Sequence, residues 1–133
     1  MDLLLEDVFE VTAVDSQGKK FDKVSRLDCR GTGFQMTLRL DVNTDLFEAD
    51  VQDQFRLRIC KAVDVNFDQM STSEFAGFDY VMYGKIFKID AASDNQFEVY
   101  VSFGGLLLLL KGEAQHVRKL PLDQRVFLCV KRS

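Results

Sequence analysis

Apolar residues recur at every second position through most of this chain, a period that predicts strands rather than helices. Phe34-Gln-Met36-Thr-Leu38-Arg-Leu40-Asp-Val42 sets one apolar face against a mostly polar one. Phe55-Arg-Leu57-Arg-Ile59 and Phe97-Glu-Val99-Tyr-Val101-Ser-Phe103 repeat the pattern, the former with Arg56 and Arg58 outward. Weaker alternation marks residues 8–14, 24–29 and 80–89. Two runs are apolar on both faces: the five leucines 106–110 and Val126-Phe-Leu128-Cys-Val130. Such a strand must be covered on both sides, by its own interior on one and by something else on the other. The identity of that second cover is a functional question.

Turns punctuate the runs. Gly104-Gly105, between Phe103 and the leucines, reads as a tight strand-to-strand turn, because glycine reaches φ > 0 without a Cβ clash. Asp15-Ser-Gln-Gly18, Arg30-Gly-Thr-Gly33 and Ala91-Ala-Ser-Asp-Asn95 supply others. Gly84, inside a strand pattern, predicts a bulge or a close backbone approach. No segment sustains a 3.6-residue period, so no long helix is expected; residues 45–51 have room for one short turn. About eight short strands at regular spacing predict an all-β fold, a closed antiparallel barrel. The 133 residues are read as one domain, 1–133, with an acidic loop over about 62–78 that is expected to be mobile.

A domain of this length buries roughly two-thirds of its unfolded surface and needs no disulfide or metal staple. Cys29, Cys60 and Cys129 are odd in number and widely spaced, which fits free thiols in cytosol or nucleus and no metal knuckle. The apolar start, residues 1–5, is too short and too acidic for a signal peptide. The leucine run is far short of the ~20 residues that span a bilayer. Net charge is −4 and 29% of residues are charged, which disfavours a protein whose main work is coating nucleic acid. The charge is uneven: residues 111–133 carry six Lys/Arg against Glu113 and Asp123, leaving −8 on the rest.

Catalytic chemistry finds no foothold. His116, the single histidine, lies in a stretch read as a polar loop, without a second ligand or an elbow-type nucleophile. Asp64-Val-Asn66-Phe-Asp68 opens like a calcium loop, but Gln69 and Phe75 stand where glycine and a bidentate glutamate belong. Gly31-Thr-Gly33 lacks the third glycine of a dinucleotide fingerprint and precedes a strand, so it reads as turn glycine. A basic stretch is more suggestive: Lys19, Lys20, Lys23, Arg26 and Arg30, with Phe21 inside it, Phe34 just after and Arg39 beyond. Cations interleaved with aromatics on a small barrel can track a single nucleic-acid strand. Phe21 and Phe34 would serve equally as core anchors, and Asp22 and Asp28 dilute the charge.

Several strings in order resemble one family: Leu5-Glu-Asp-Val-Phe-Glu-Val11, Gly18-Lys-Lys-Phe-Asp-Lys-Val-Ser-Arg-Leu27, Phe34-Gln-Met-Thr-Leu-Arg-Leu-Asp-Val-Asn43, Asp53-Gln-Phe-Arg-Leu57, Phe78-Asp-Tyr-Val-Met-Tyr-Gly-Lys-Ile-Phe-Lys-Ile89, Tyr100-Val-Ser-Phe-Gly-Gly-Leu-Leu107 and Arg125-Val-Phe-Leu128. Together they resemble the eighth-largest subunit of eukaryotic nuclear RNA polymerases, the small barrel shared by polymerases I, II and III. The resemblance implies an oligonucleotide-binding-like (OB-fold-like) barrel and a non-catalytic, cofactor-free and metal-free subunit. It further implies docking on the outside of the largest polymerase subunit, a nuclear and nucleolar location, and no membrane or small-molecule substrate. A weak, sequence-independent single-stranded DNA contact is implied around residues 15–39. The chain departs from the family in a shorter loop between Ile59 and Phe78, a less acidic turn at Arg30-Gly-Thr-Gly33, and a divergent segment 112–119. The docking surface is expected near Tyr83, Tyr100, Phe103, Gly104, Gly105, Leu106 and Leu107, and the DNA contact at Lys19, Lys20, Lys23, Arg26, Arg30, Phe34 and Arg39. The alternative is a free-standing single-strand-binding barrel; a small hydrolase is disfavoured.

Overall fold

In a computed structural model, which describes residues 3–62 and 75–133, eight antiparallel strands close into a barrel. In chain order they are β1 (Leu3–Val14), β2 (Val24–Gly31), β3 (Thr37–Asn43), β4 (Gln54–Lys61), β5 (Tyr80–Ser93), β6 (Gln96–Phe103), β7 (Leu106–Glu113) and β8 (Arg125–Arg132). One helical turn, α1 (Ala114–Val117), follows β7. Around the barrel the order is β1-β2-β3-β7-β6-β5-β8-β4, and β4 pairs back to β1. The expected eight-strand barrel is therefore what forms, without a long helix among the described residues. The calcium-like string at 64–68 and most of the acidic loop lie outside the described residues.

Alternation places Phe9, Leu27, Leu40, Leu57, Ile86 and Val101 inward, each fully buried. Each such side chain withdrawn from water contributes about 1.5–3 kcal/mol, so register rather than any single contact specifies the fold. Phe47 plugs one mouth: its ring stacks on Tyr80 at 5.6 Å and meets Phe55 edge-on at 6.1 Å. The main-chain N–H of Phe47 donates to Asn43, closing the short turn expected over 45–51 a little earlier in the chain. Val117 and Leu120 join the core after β7, near Met36 at the opposite end of β3.

Three strand boundaries and the placement of two residues differ from the sequence reading. β1 begins at Leu3, earlier than the alternation over 8–14 marked it. β3 begins at Thr37; Phe34 continues the alternation on paper but sits on a bend, 44% exposed. Phe21, the other candidate core anchor, is 69% exposed. β5 runs on to Ser93 because bulges at Ile86/Lys88 and Ala91/Ser93 absorb extra residues, leaving a shorter turn at Asp94-Asn95. His116 belongs to α1 rather than to a loop, and its ring lies 4.2 Å from that of Phe34.

The two runs apolar on both faces resolve differently. In β8, Val126, Leu128 and Val130 enter the core, while Phe127 and Cys129 face outward and are nonetheless buried. Their cover is the chain itself: Ala62, Phe75, Phe78, Val81 and Tyr83 pack over them. In β7, Leu108 and Leu110 point inward and Leu106 packs partly against the core, but Leu107 stands 41% exposed on the outer face.

All three cysteines are free and buried. Burial pushes the Cys29 thiol up from 9.0 to about 12, with neighbouring Asp28 adding to the effect. Cys60 and Cys129 share a hydrogen bond, which lowers the first and raises the second. Folded chains thus hold a Cys29 proton that unfolded chains release near pH 9. That contribution is complete below pH 9 and declines as pH rises towards 12, by about 1.4 kcal/mol per pH unit. Urea titrations at pH 8 and pH 10 should show a larger loss for the parent than for Cys29→Ala; equal losses would contradict the assignment.

Candidate functional site

The β6–β7 hairpin ends in Gly104 (φ 62°) and Gly105 (φ 105°), with Phe103 paired to Leu106 across the turn. Positive φ at both central residues gives the two-residue turn that suits the right-handed twist of its strands, and glycine takes it without strain. The hairpin tip lies against the outer face of β2 and β3. Asp41, outward on β3 and opposite Arg26 in the register, fastens the three together. Arg26 donates to it through Nε at 2.7 Å and Nη2 at 3.2 Å, and the Leu107 main-chain N–H donates to Oδ2 at 3.1 Å. The hydrogen bond to Asp41 raises the Arg26 pKa still further. On the other flank, Asp15 accepts the Arg26 main-chain N–H and the Ser25 hydroxyl, each at 2.8 Å. Between these elements opens a groove of roughly 510 Å³, walled by Lys20, Phe21, Val24, Arg39, Leu106 and Leu107.

The groove therefore gathers members of both expected surfaces: Lys20, Arg26 and Arg39 from the basic stretch, and Gly105, Leu106 and Leu107 from the hairpin. The remaining basic residues do not join them. Arg30 and Phe34 lie toward the opposite end of β2, which advances about 3.3 Å per residue. Most of these cations also have carboxylate partners: Lys23 with Asp45, Arg26 with Asp41, Arg30 with Glu10 and Arg39 with Asp28. Among the described residues Lys19 and Lys20 have no ion pair, and both are exposed.

The expected docking residues also divide. Phe103 points into the barrel, 7% exposed, and belongs to the core. Tyr83 faces outward but packs on Phe127, ring centroids 5.1 Å apart, with the Arg125 guanidinium 5.9 Å above its ring. Tyr100 occupies the outer face of β6 opposite Leu109. Its hydroxyl donates to Glu98 at 2.8 Å, which raises its pKa, and the Lys88 ammonium lies 5.1 Å from its ring. Phe87, outward and exposed on β5, approaches Tyr100 at 6.1 Å. The outer faces of β5, β6 and β7 thus carry Phe87, Tyr100, Leu109 and Leu107, an apolar strip with open members at both ends.

Sequence reasoning missed Asp41 and Phe87. Asp41 is an ordinary outward residue in the alternation, and its role depends on the register that sets it opposite Arg26. Phe87 follows the outward parity of Tyr83 and Lys85, a signal that alternation offered and that was passed over. The arrangement is suited to binding: apolar side chains and mostly paired charges surround an open groove.

The RNA polymerase Rpb8 family matches residues 6–132. Among similar proteins, DNA-directed RNA polymerases II, IV and V subunit 8B of Arabidopsis thaliana is 36% identical, covering 98% of this chain and 96% of its own. DNA-directed RNA polymerases I, II, and III subunit rpabc3 of Dictyostelium discoideum is 35% identical over 98% of each chain. The RPABC3 subunit of Schizosaccharomyces pombe is 36% identical over 98% of this chain and 97% of its own.

Proposed function

The chain belongs to the RNA polymerase Rpb8 family, and from that membership we infer that it is a non-catalytic subunit shared by nuclear DNA-directed RNA polymerases. The observation that carries this reading is the family match over residues 6–132, nearly the whole barrel. As one domain, the barrel serves polymerases I, II and III, and with polymerase I it enters the nucleolus. It docks on the outside of the largest subunit through the β6–β7 hairpin and the strip Phe87, Tyr100, Leu109 and Leu107. What supports this surface is that the chain covers the outer apolar face of β8 with its own residues but leaves Leu107 41% exposed. A large exposed leucine beside aromatic rings suits the dry centre of a subunit interface.

The free-standing single-strand-binding reading is weaker, since Lys23, Arg26, Arg30 and Arg39 already have carboxylate partners. Any single-stranded DNA contact falls to Lys19, Lys20 and Phe21 and is feeble. Affinity purification of the tagged chain from its own cells tests the assignment and should recover a polymerase largest subunit. Leu107→Asp, checked for an unchanged circular dichroism spectrum, should reduce that recovery about tenfold or more, as removal of an interface anchor does. Parent protein that captures no large subunit would overturn membership of the assembly. Equal recovery by the variant would move the docking surface elsewhere.

A further inference from the structure

The outer face of β4 and β8 holds charge in an arrangement unlike that of the other ion pairs. Arg26, Arg30, Arg39, Lys85 and Lys88 each pair with a carboxylate of their own. Here Arg56 and Arg58 share a single carboxylate, Glu6. Lys131 stands directly across the ladder from Arg56 and has no ion pair among the described residues. Among the described residues, three cations against one carboxylate leave an excess of about two positive charges on one small area. They line a cleft of roughly 270 Å³ whose other wall is Ala76-Gly77-Phe78. The Phe78 ring lies 5.6 Å from the Arg58 guanidinium and holds it in place. Asp79, the next carboxylate along the chain, does not complete a second pair there: its Oδ2 accepts the Arg132 main-chain N–H at 2.7 Å.

We propose that this cleft binds the phosphate group of a phosphorylated serine or threonine on a partner protein. The excess charge matches a phosphomonoester, which carries about −1.5 to −2 at pH 7, better than a carboxylate with its single charge. Guanidinium groups recognise phosphoryl oxygens bidentately, and two of the three cations are arginines. The size of the cleft admits one such group. A nucleic-acid strand would instead need cations spaced along several phosphates and open aromatic faces for its bases, and the net charge of the chain is −4. This site lies on β4 and β8, away from the β6–β7 hairpin, and does not depend on the docking surface assigned to that hairpin.

Amide NMR titrations of the full chain provide the test, with five probes: a short phosphoserine peptide, its serine and glutamate counterparts, inorganic phosphate and an oligothymidylate. The phosphoserine peptide should shift the amides of residues 56, 58, 76–78 and 131. The serine peptide should not, and inorganic phosphate should move the same amides more weakly. Lys131→Ala, a change at an exposed position, should weaken the peptide about tenfold, equivalent to about 1.4 kcal/mol. Four results would each overturn the proposal: no shift at these amides with millimolar phosphopeptide, equal binding of the glutamate peptide, unchanged affinity in Lys131→Ala, or tighter binding of oligothymidylate at the same amides.

Discussion

Gly84→Ala should prevent the barrel from folding in soluble form. A Cβ at this position would lie 2.2 Å from the Ser102 carbonyl oxygen, 2.6 Å from Phe103 Cδ1 and 2.9 Å from the Ser102 carbonyl carbon. Two of those atoms are backbone, and neither strand is free to retreat. Gly84 is paired to Val126 of β8, while Ser102 is paired to Lys85 on one side and Leu107 on the other. Relief would require pulling β6 from β5 beside the hairpin, exposing main-chain hydrogen bonds as well as the Phe103 ring. A loss of about 4 kcal/mol or more is large against the 5–15 kcal/mol that holds a typical domain together. Expression followed by a urea titration of the soluble fraction decides the matter; an unperturbed midpoint would mean that β5 and β6 are not in such close contact.

Phe127→Ala should cost about 3–5 kcal/mol, the loss typical of a buried aromatic, although the residue points away from the barrel interior. Phe127 is 1% exposed and lies 5.2 Å from the Phe75 ring and 5.1 Å from that of Tyr83. Removing it leaves a void between β8 and its cover, which Ala62 and the rings around it cannot fill without moving. Leu107→Ala, on the open outer face of β7, should change the midpoint little. A urea denaturation series on the two variants separates them; equal, small effects would show that the cover over β8 is loosely packed.

Much of the barrel could be read from alternation, because a half-buried strand repeats every two residues whatever its neighbours are. All eight strands coincide with runs marked in the sequence, and the glycine pair stands at the turn it predicted. Alternation cannot show where pairing stops. Phe34 has the parity of Met36 and Leu38 yet lies outside β3, because the chain has already turned toward β2. Nor does parity survive a bulge: Lys88, inward by count from Ile86, is exposed. The candidate site was legible in parts. The hairpin and the basic stretch stood out separately, but their meeting at Asp41 depends on β3 pairing with both β2 and β7. The need for a second cover over β8 was also visible. Its identity was not, since Phe75 and Phe78 sit in a stretch without strand or helix periodicity.

β8 is the last of the eight strands to be synthesised, and it stands between β5 and β4. Until it emerges from the ribosome, both neighbours present unpaired edges and the barrel has a gap along its length. Phe75, Phe78, Val81 and Tyr83 meanwhile lack the surface on which they will rest. Seven strands made in advance form an open sheet with an exposed apolar lining, a species inclined to pair with other chains. Productive association with a large partner belongs after closure, on the finished barrel rather than on the nascent chain.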